Sequence, residues 1–81
     1  VDASLTETDD IRTAIERIRG VEKVSRCRTR TDGTNKFADV VVLIDSNLST
    51  HQGHKIADNI ELALTEQFGI QDTSVHLEPN H

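Results

Sequence analysis

Phe37-Ala38-Asp39-Val40-Val41-Val42-Leu43-Ile44 decides the fold. The run is dense in β-branched residues, which fit a pleated strand better than a helix. Alternation sends Ala38, Val40, Val42 and Ile44 to one face and Phe37, Asp39, Val41 and Leu43 to the other. Both faces are substantially apolar, so both are expected to be covered rather than one left wet. We place this strand at residues 36–45.

Upstream, residues 21–31 read as a second strand. Asp32-Gly33 is a turn signal, with the loop running to Asn35, so the two strands form a hairpin. Before it, Ile11, Ala14, Ile15 and Ile18 recur at i, i+3, i+4 and i+7, the apolar stripe of a helix. Thr6, Glu7, Thr8, Asp9 and Asp10 precede that stripe and offer cap oxygens and negative charge to its N-terminus. Arg17 and Arg19 fall in its last turn, and Gly20 is the expected residue just past the end.

Downstream, Ser49 and Gln52 match a capping box. A second helix follows, with Ile56, Ile60, Ala63, Leu64 and Phe68 as its apolar stripe and Gly69 as its stop. His54 clusters on the polar side with Asp58, Glu61 and Thr65. Residues 73–79 form a last strand, where Pro79 is tolerated at the terminus.

The order is therefore α-β-β-α-β, an α+β domain. Two helices cover only one face of a three-stranded sheet. The second face of the 36–45 strand is left for another copy of the chain, so Phe37, Val41 and Leu43 are assigned to a homodimer contact.

Composition narrows the function. The 81 residues make one domain with a single cysteine, so an internal disulfide is excluded and a reducing compartment fits. No apolar run approaches the roughly 20 residues that a membrane span requires. Val1-Asp2-Ala3-Ser4-Leu5 lacks the features of a signal peptide. Without an initiator methionine, the chain is expected to be a piece of something longer. The net charge of −5 and the absence of Trp and Tyr argue against nucleic-acid binding.

Four residues carry the candidate chemistry. In Val75-His76-Leu77-Glu78-Pro79, alternation puts His76 beside Glu78 on one sheet face. Asp39 lies on the face of Phe37 and Val41, so the three are expected to converge near a dimer axis. Their nitrogen and oxygen donors suit a divalent ion. His54 is the fourth candidate, paired at i, i+4 with Asp58. A salt-bridged or solvated face, and an ordinary surface histidine, are the plain alternatives. His51 is equally ambiguous, and His81 is terminal and expected to be disordered.

Cys27 stands among Arg26, Arg28 and Arg30, opposite them by alternation and alongside Ser25 and Thr29. It reads as a small core residue, although nearby cations would lower a thiol pKa. The three arginines read as a solvated strip. With no C-x-x-C, no nucleophile paired with a base and no Gly-rich phosphate loop, the chain is not expected to be an enzyme.

Ile18-Arg19-Gly20-Val21, Cys27-Arg28-Thr29-Arg30, Gly33, Asp39, Gly53-His54-Lys55-Ile56-Ala57-Asp58 and Val75-His76-Leu77-Glu78-Pro79 together resemble the C-terminal cytosolic domain of the cation diffusion facilitator family. The resemblance runs from Thr8 to Pro79. It implies a ferredoxin-like fold, a V-shaped homodimer, and a place beneath a six-helix membrane domain that exchanges divalent cations for protons. It also implies a regulatory metal, zinc, iron or manganese, at the dimer interface, with Asp39, His54, His76 and Glu78 at family ligand positions. Three residues depart from that pattern. Ser25 stands where many zinc-transporting members carry a histidine, Cys27 replaces a leucine, and Val41 stands where some members carry another histidine. The sparser, carboxylate-richer set is similar to magnetosome-associated members. Because each copy carries −5 and Asp39, His54, His76 and Glu78 are expected to gather across the cleft, a bound dication is expected to overcome like-charge repulsion between the two arms and close the dimer. A metal-free dimerising or small-molecule-sensing module is the alternative.

Overall fold

The structure, a computed structural model, describes residues 5–80, with side chains described from residue 7. His81 lies outside the described residues. The elements are α1 (Leu5–Glu16), β1 (Val21–Asp32), β2 (Asn35–Ile44), α2 (Thr50–Phe68) and β3 (Asp72–Pro79). The sheet order is β1-β2-β3, with β1 antiparallel and β3 parallel to the central β2. Helix α2 makes the crossover that a parallel pair requires.

The two faces of β2 divide as alternation requires. Ala38, Val40, Val42 and Ile44 are buried beneath the helices, where Ile11 and Ile15 of α1 and Ile56, Ile60 and Leu64 of α2 close the core. Burying each of these larger side chains contributes about 1.5–3 kcal/mol. Ile70, just past α2, is also fully enclosed. Phe37, Val41 and Leu43 lie half-buried on the other face, which no helix among the described residues covers.

Helix α2 follows its local signals. The Ser49 hydroxyl accepts from the Gln52 N–H, and the Gln52 side chain accepts from the Ser49 N–H, completing the box. Gly69 adopts φ +66°, and its N–H returns to the Thr65 carbonyl. Such a left-handed residue is where glycine costs least.

Helix α1 departs from expectation at both ends. It begins at Leu5, so the residues expected before it, Thr6 to Asp10, lie within it. It ends at Glu16, which leaves Arg17 and Arg19 beyond the last turn. There the Ile18 N–H reaches only to Ile15, and the Val21 N–H to Ile18, two tight turns that swing the chain into β1. Gly20 completes the swing at φ +98° and packs so closely on Ile56 that a Cβ would stand 2.5 Å from its Cδ1.

The hairpin is tighter than expected. Asp32 pairs with Asn35 across a two-residue turn of Gly33 and Thr34. β1 carries register shifts between Val21 and Lys23 and between Val24 and Arg26. The second shift overturns the expected placement of Ser25 with Cys27. The extra residue of a bulge resets alternation, so Val24 and Cys27, three apart, both face the core while Ser25 is exposed. The Ser25 hydroxyl instead donates to the Val41 carbonyl at 3.3 Å. Arg12 of α1 donates to the Val24 carbonyl beside the bulge.

Candidate metal centre on the open sheet face

Register assembles the uncovered face row by row. Residues paired directly across a ladder share a face. Arg30, Phe37 and Asp72 form the first row, Arg28, Asp39 and Ser74 the second, Arg26, Val41 and His76 the third, and Lys23, Leu43 and Glu78 the fourth. An apolar strip runs down the centre on β2, interrupted by Asp39. Cations flank it on the β1 side, with carboxylates and an imidazole on the β3 side. The Arg30 guanidinium lies 5.4 Å from the centre of the Phe37 ring, close enough for a cation–π contact.

Asp39, His76 and Glu78 line one open depression of about 390 Å³. All three are exposed. Their donor chemistry suits a borderline or hard dication. They do not form a finished site within one chain: among the described residues, no three His, Cys, Asp or Glu side chains stand close enough to hold an ion together. His54 does not join them. It is exposed on α2, in the helical layer that covers the other face of the sheet.

The expected seam of like negative charge is corrected by the same register. Arg26 and Arg28 line the depression together with the carboxylates, so its fixed charges balance. The sequence reading put the arginines opposite Cys27 but did not place them beside Asp39. The missing signal was turn length. Once the Asp32-Gly33 turn is held to two residues, Arg28 must fall opposite Asp39.

Cys27 is buried in the core. Burial pushes its thiol pKa up, and the Arg12 guanidinium opposes this in part. That environment keeps the thiol protonated, unlike a reactive cysteine or a thiolate metal ligand.

Comparison with known proteins follows the same outline. The family model for the cation efflux protein, cytoplasmic domain, matches residues 3–80. The manganese efflux system protein MneS of Bacillus subtilis (strain 168) is 34% identical over 82 residues, covering 94% of this chain and 28% of that protein. The cation-efflux pump FieF of Klebsiella pneumoniae subsp. pneumoniae is 31% identical over 74 residues, covering 91% of this chain and 25% of the pump. The chain thus spans about a quarter of the length of these curated relatives. Among solved structures, the copper form of the MamM C-terminal domain superposes with a TM-score of 0.89 at 26% identity, covering 95% of this chain and 76% of that one. A single-residue variant of the same domain gives 0.86 at 25% identity, covering 96% of this chain and all of that one. The α+β ferredoxin-like arrangement, two helices on one face of a three-stranded sheet, is the arrangement of these neighbours. This chain belongs to the cation efflux protein family and is its cytoplasmic domain.

Proposed function

We propose that this domain is a non-enzymatic regulator that senses a divalent cation at the seam between two copies and adjusts a transporter's efflux of such ions. The observation that carries the reading is the convergence of Asp39, His76 and Glu78 on one open depression beside an apolar strip. One chain leaves the donor set incomplete. A second copy laid on Phe37, Val41 and Leu43 would bury that strip and bring further donors to the same place. His54 lies in the helical layer on the far side of its own sheet, away from that seam, and is not among the donors of this reading. The two copies would form a V whose arms draw together when an ion bridges them, shifting the population toward a compact form. Because the depression is charge-balanced, closure would come from the ion's cross-linking and not from relief of repulsion.

The match to a cation efflux protein's cytoplasmic domain supports a place on the cytoplasmic side of a membrane transporter. Exchange of the cation for protons, through a membrane domain preceding residues 1–81, belongs to the same proposal. MneS is named for manganese and FieF for cations in general, while a MamM domain has a copper form. These names support a divalent ion, and we favour zinc, iron or manganese. The test is calorimetric titration of the chain with Zn²⁺, Mn²⁺ and Fe²⁺, with small-angle scattering of the same samples. Binding heat with a smaller radius of gyration is expected. No heat and superimposable scattering curves would overturn the reading.

A second reading has its own support. Since no three donors meet within the described chain, the open face could serve dimerisation or small-molecule sensing without metal. That reading expects a melting temperature indifferent to all three ions.

A further inference from the structure

The depression lined by Asp39, His76 and Glu78 is also lined by Arg26 and Arg28. Arg28 is the direct ladder partner of Asp39, which brings their Cβ atoms to about 4.5–5.5 Å on one face. Arg26 is the partner of Val41, which pairs on its other side with His76. Both arginines are exposed, and neither is needed to fill the core. With His76 neutral, two guanidinium groups stand against two carboxylates. A purely acidic site would hold a dication as tightly as its donors allow. This one carries its own counter-cations.

We propose that Arg26 and Arg28 are the counter-cations of the metal-free site and set the cation concentration at which it fills, with Arg28 the stronger of the two. The inference rests on the metal reading above and deepens it. When no dication is present, the two guanidinium charges stand near Asp39 and Glu78 around one depression, without an ion pair to them among the described residues, and they offset the local repulsion where two copies meet. An entering dication meets those same charges, so affinity is held below what the donors alone would give. The domain then responds to a surplus of cation and ignores basal levels. The same two carboxylates argue against the arginines serving a phosphate or other anion, which Asp39 and Glu78 would repel.

The size of the effect follows from Coulomb's law. Repulsion between a dication and a guanidinium about 7 Å away, in a nearly aqueous dielectric with moderate salt, corresponds to roughly a threefold to tenfold change in affinity. The test is calorimetric titration of Zn²⁺ into the 81-residue chain and its variants, with a melting curve on each to establish that it folds. Arg28→Gln is expected to bind Zn²⁺ about fivefold more tightly, whereas Arg28→Lys, which keeps the charge, is expected to match the parent. Arg17→Gln removes the same charge from an exposed position just past α1, outside the open face, and is expected to stay within about twofold of the parent. Equal or weaker binding by Arg28→Gln would overturn the inference, as would an equal gain in Arg17→Gln, which would reduce the effect to net charge. His76→Ala separates the two levels. If it binds Zn²⁺ as well as the parent does, the metal reading itself fails and the inference falls with it. If it loses affinity while Arg28→Gln gains none, only the role of the arginines fails.

Discussion

Replacing Gly20 by alanine tests how the α1–β1 junction is built. Gly20 sits at φ +98°, and a Cβ there would stand 2.5 Å from Ile56 Cδ1 and 2.9 Å from its Cγ1. Two costs add. The backbone term for an L side chain at positive φ is roughly 1–2 kcal/mol. Forcing a methyl into packed surroundings costs about 1–3 kcal/mol more. The stiffer unfolded chain returns about 0.4–1 kcal/mol. A net loss of about 2–4 kcal/mol is expected, a large share of the roughly 4–12 kcal/mol total stability typical for a domain of this size. Gly33→Ala supplies the control. Gly33 also has positive φ, but nothing lies within 4 Å of its Cβ position, so only the backbone term applies and the loss should be about 1 kcal/mol or less. Ile56→Val removes the nearest overlapping carbon. Alone it should cost about 0.5–1.5 kcal/mol, and in the Gly20→Ala background much less. Urea unfolding followed by far-UV circular dichroism measures all of these, since the chain has no Trp or Tyr to report by fluorescence. Protomer concentration must be fixed, because association adds to apparent stability. Equal losses for Gly20→Ala and Gly33→Ala, or strict additivity with Ile56→Val, would refute the packing account.

Three further outcomes are expected. His76→Ala should weaken Zn²⁺ binding by at least about tenfold while His51→Ala, on an exposed stretch of α2, leaves it unchanged. Equal losses in the two variants would count against ligation by His76. Val41→Asp puts a charge at the centre of the open face, where sedimentation should detect a dimer weakened by more than about tenfold with the fold intact; an unchanged dimer would move the interface elsewhere. Thr73→Val should raise stability by about 1 kcal/mol, since the buried Thr73 Oγ1 has no hydrogen-bond partner among the described residues and a methyl of similar shape removes that penalty; a drop in the urea midpoint would mean that water satisfies the hydroxyl.

Much of this chain was legible where its signals are local. Ser49, Gln52 and Gly69 bound α2 through hydrogen bonds to their own near neighbours, so their spacing in sequence suffices. The division of β2 into a covered and an open face follows from alternation alone, and with it the roles of Val40 and Val42 in the core and of Phe37, Val41 and Leu43 on the exposed side. Ile70 escaped notice because an isolated apolar residue in a connection has no periodicity to reveal it.

What the sequence determined by itself was the order of elements and the inward stripe of each, because capping, alternation and helical period act over a few residues. Tertiary structure alone decided the end of α1, which depends on Gly20 meeting Ile56, 36 positions away. It alone decided the bulge that turns Ser25 outward, and the register that sets Arg28 beside Asp39. Strand pairing repeats every two residues, so a slip of one reverses which side chains share a face. No short stretch of sequence carries that information; the turn and the bulge fix it together.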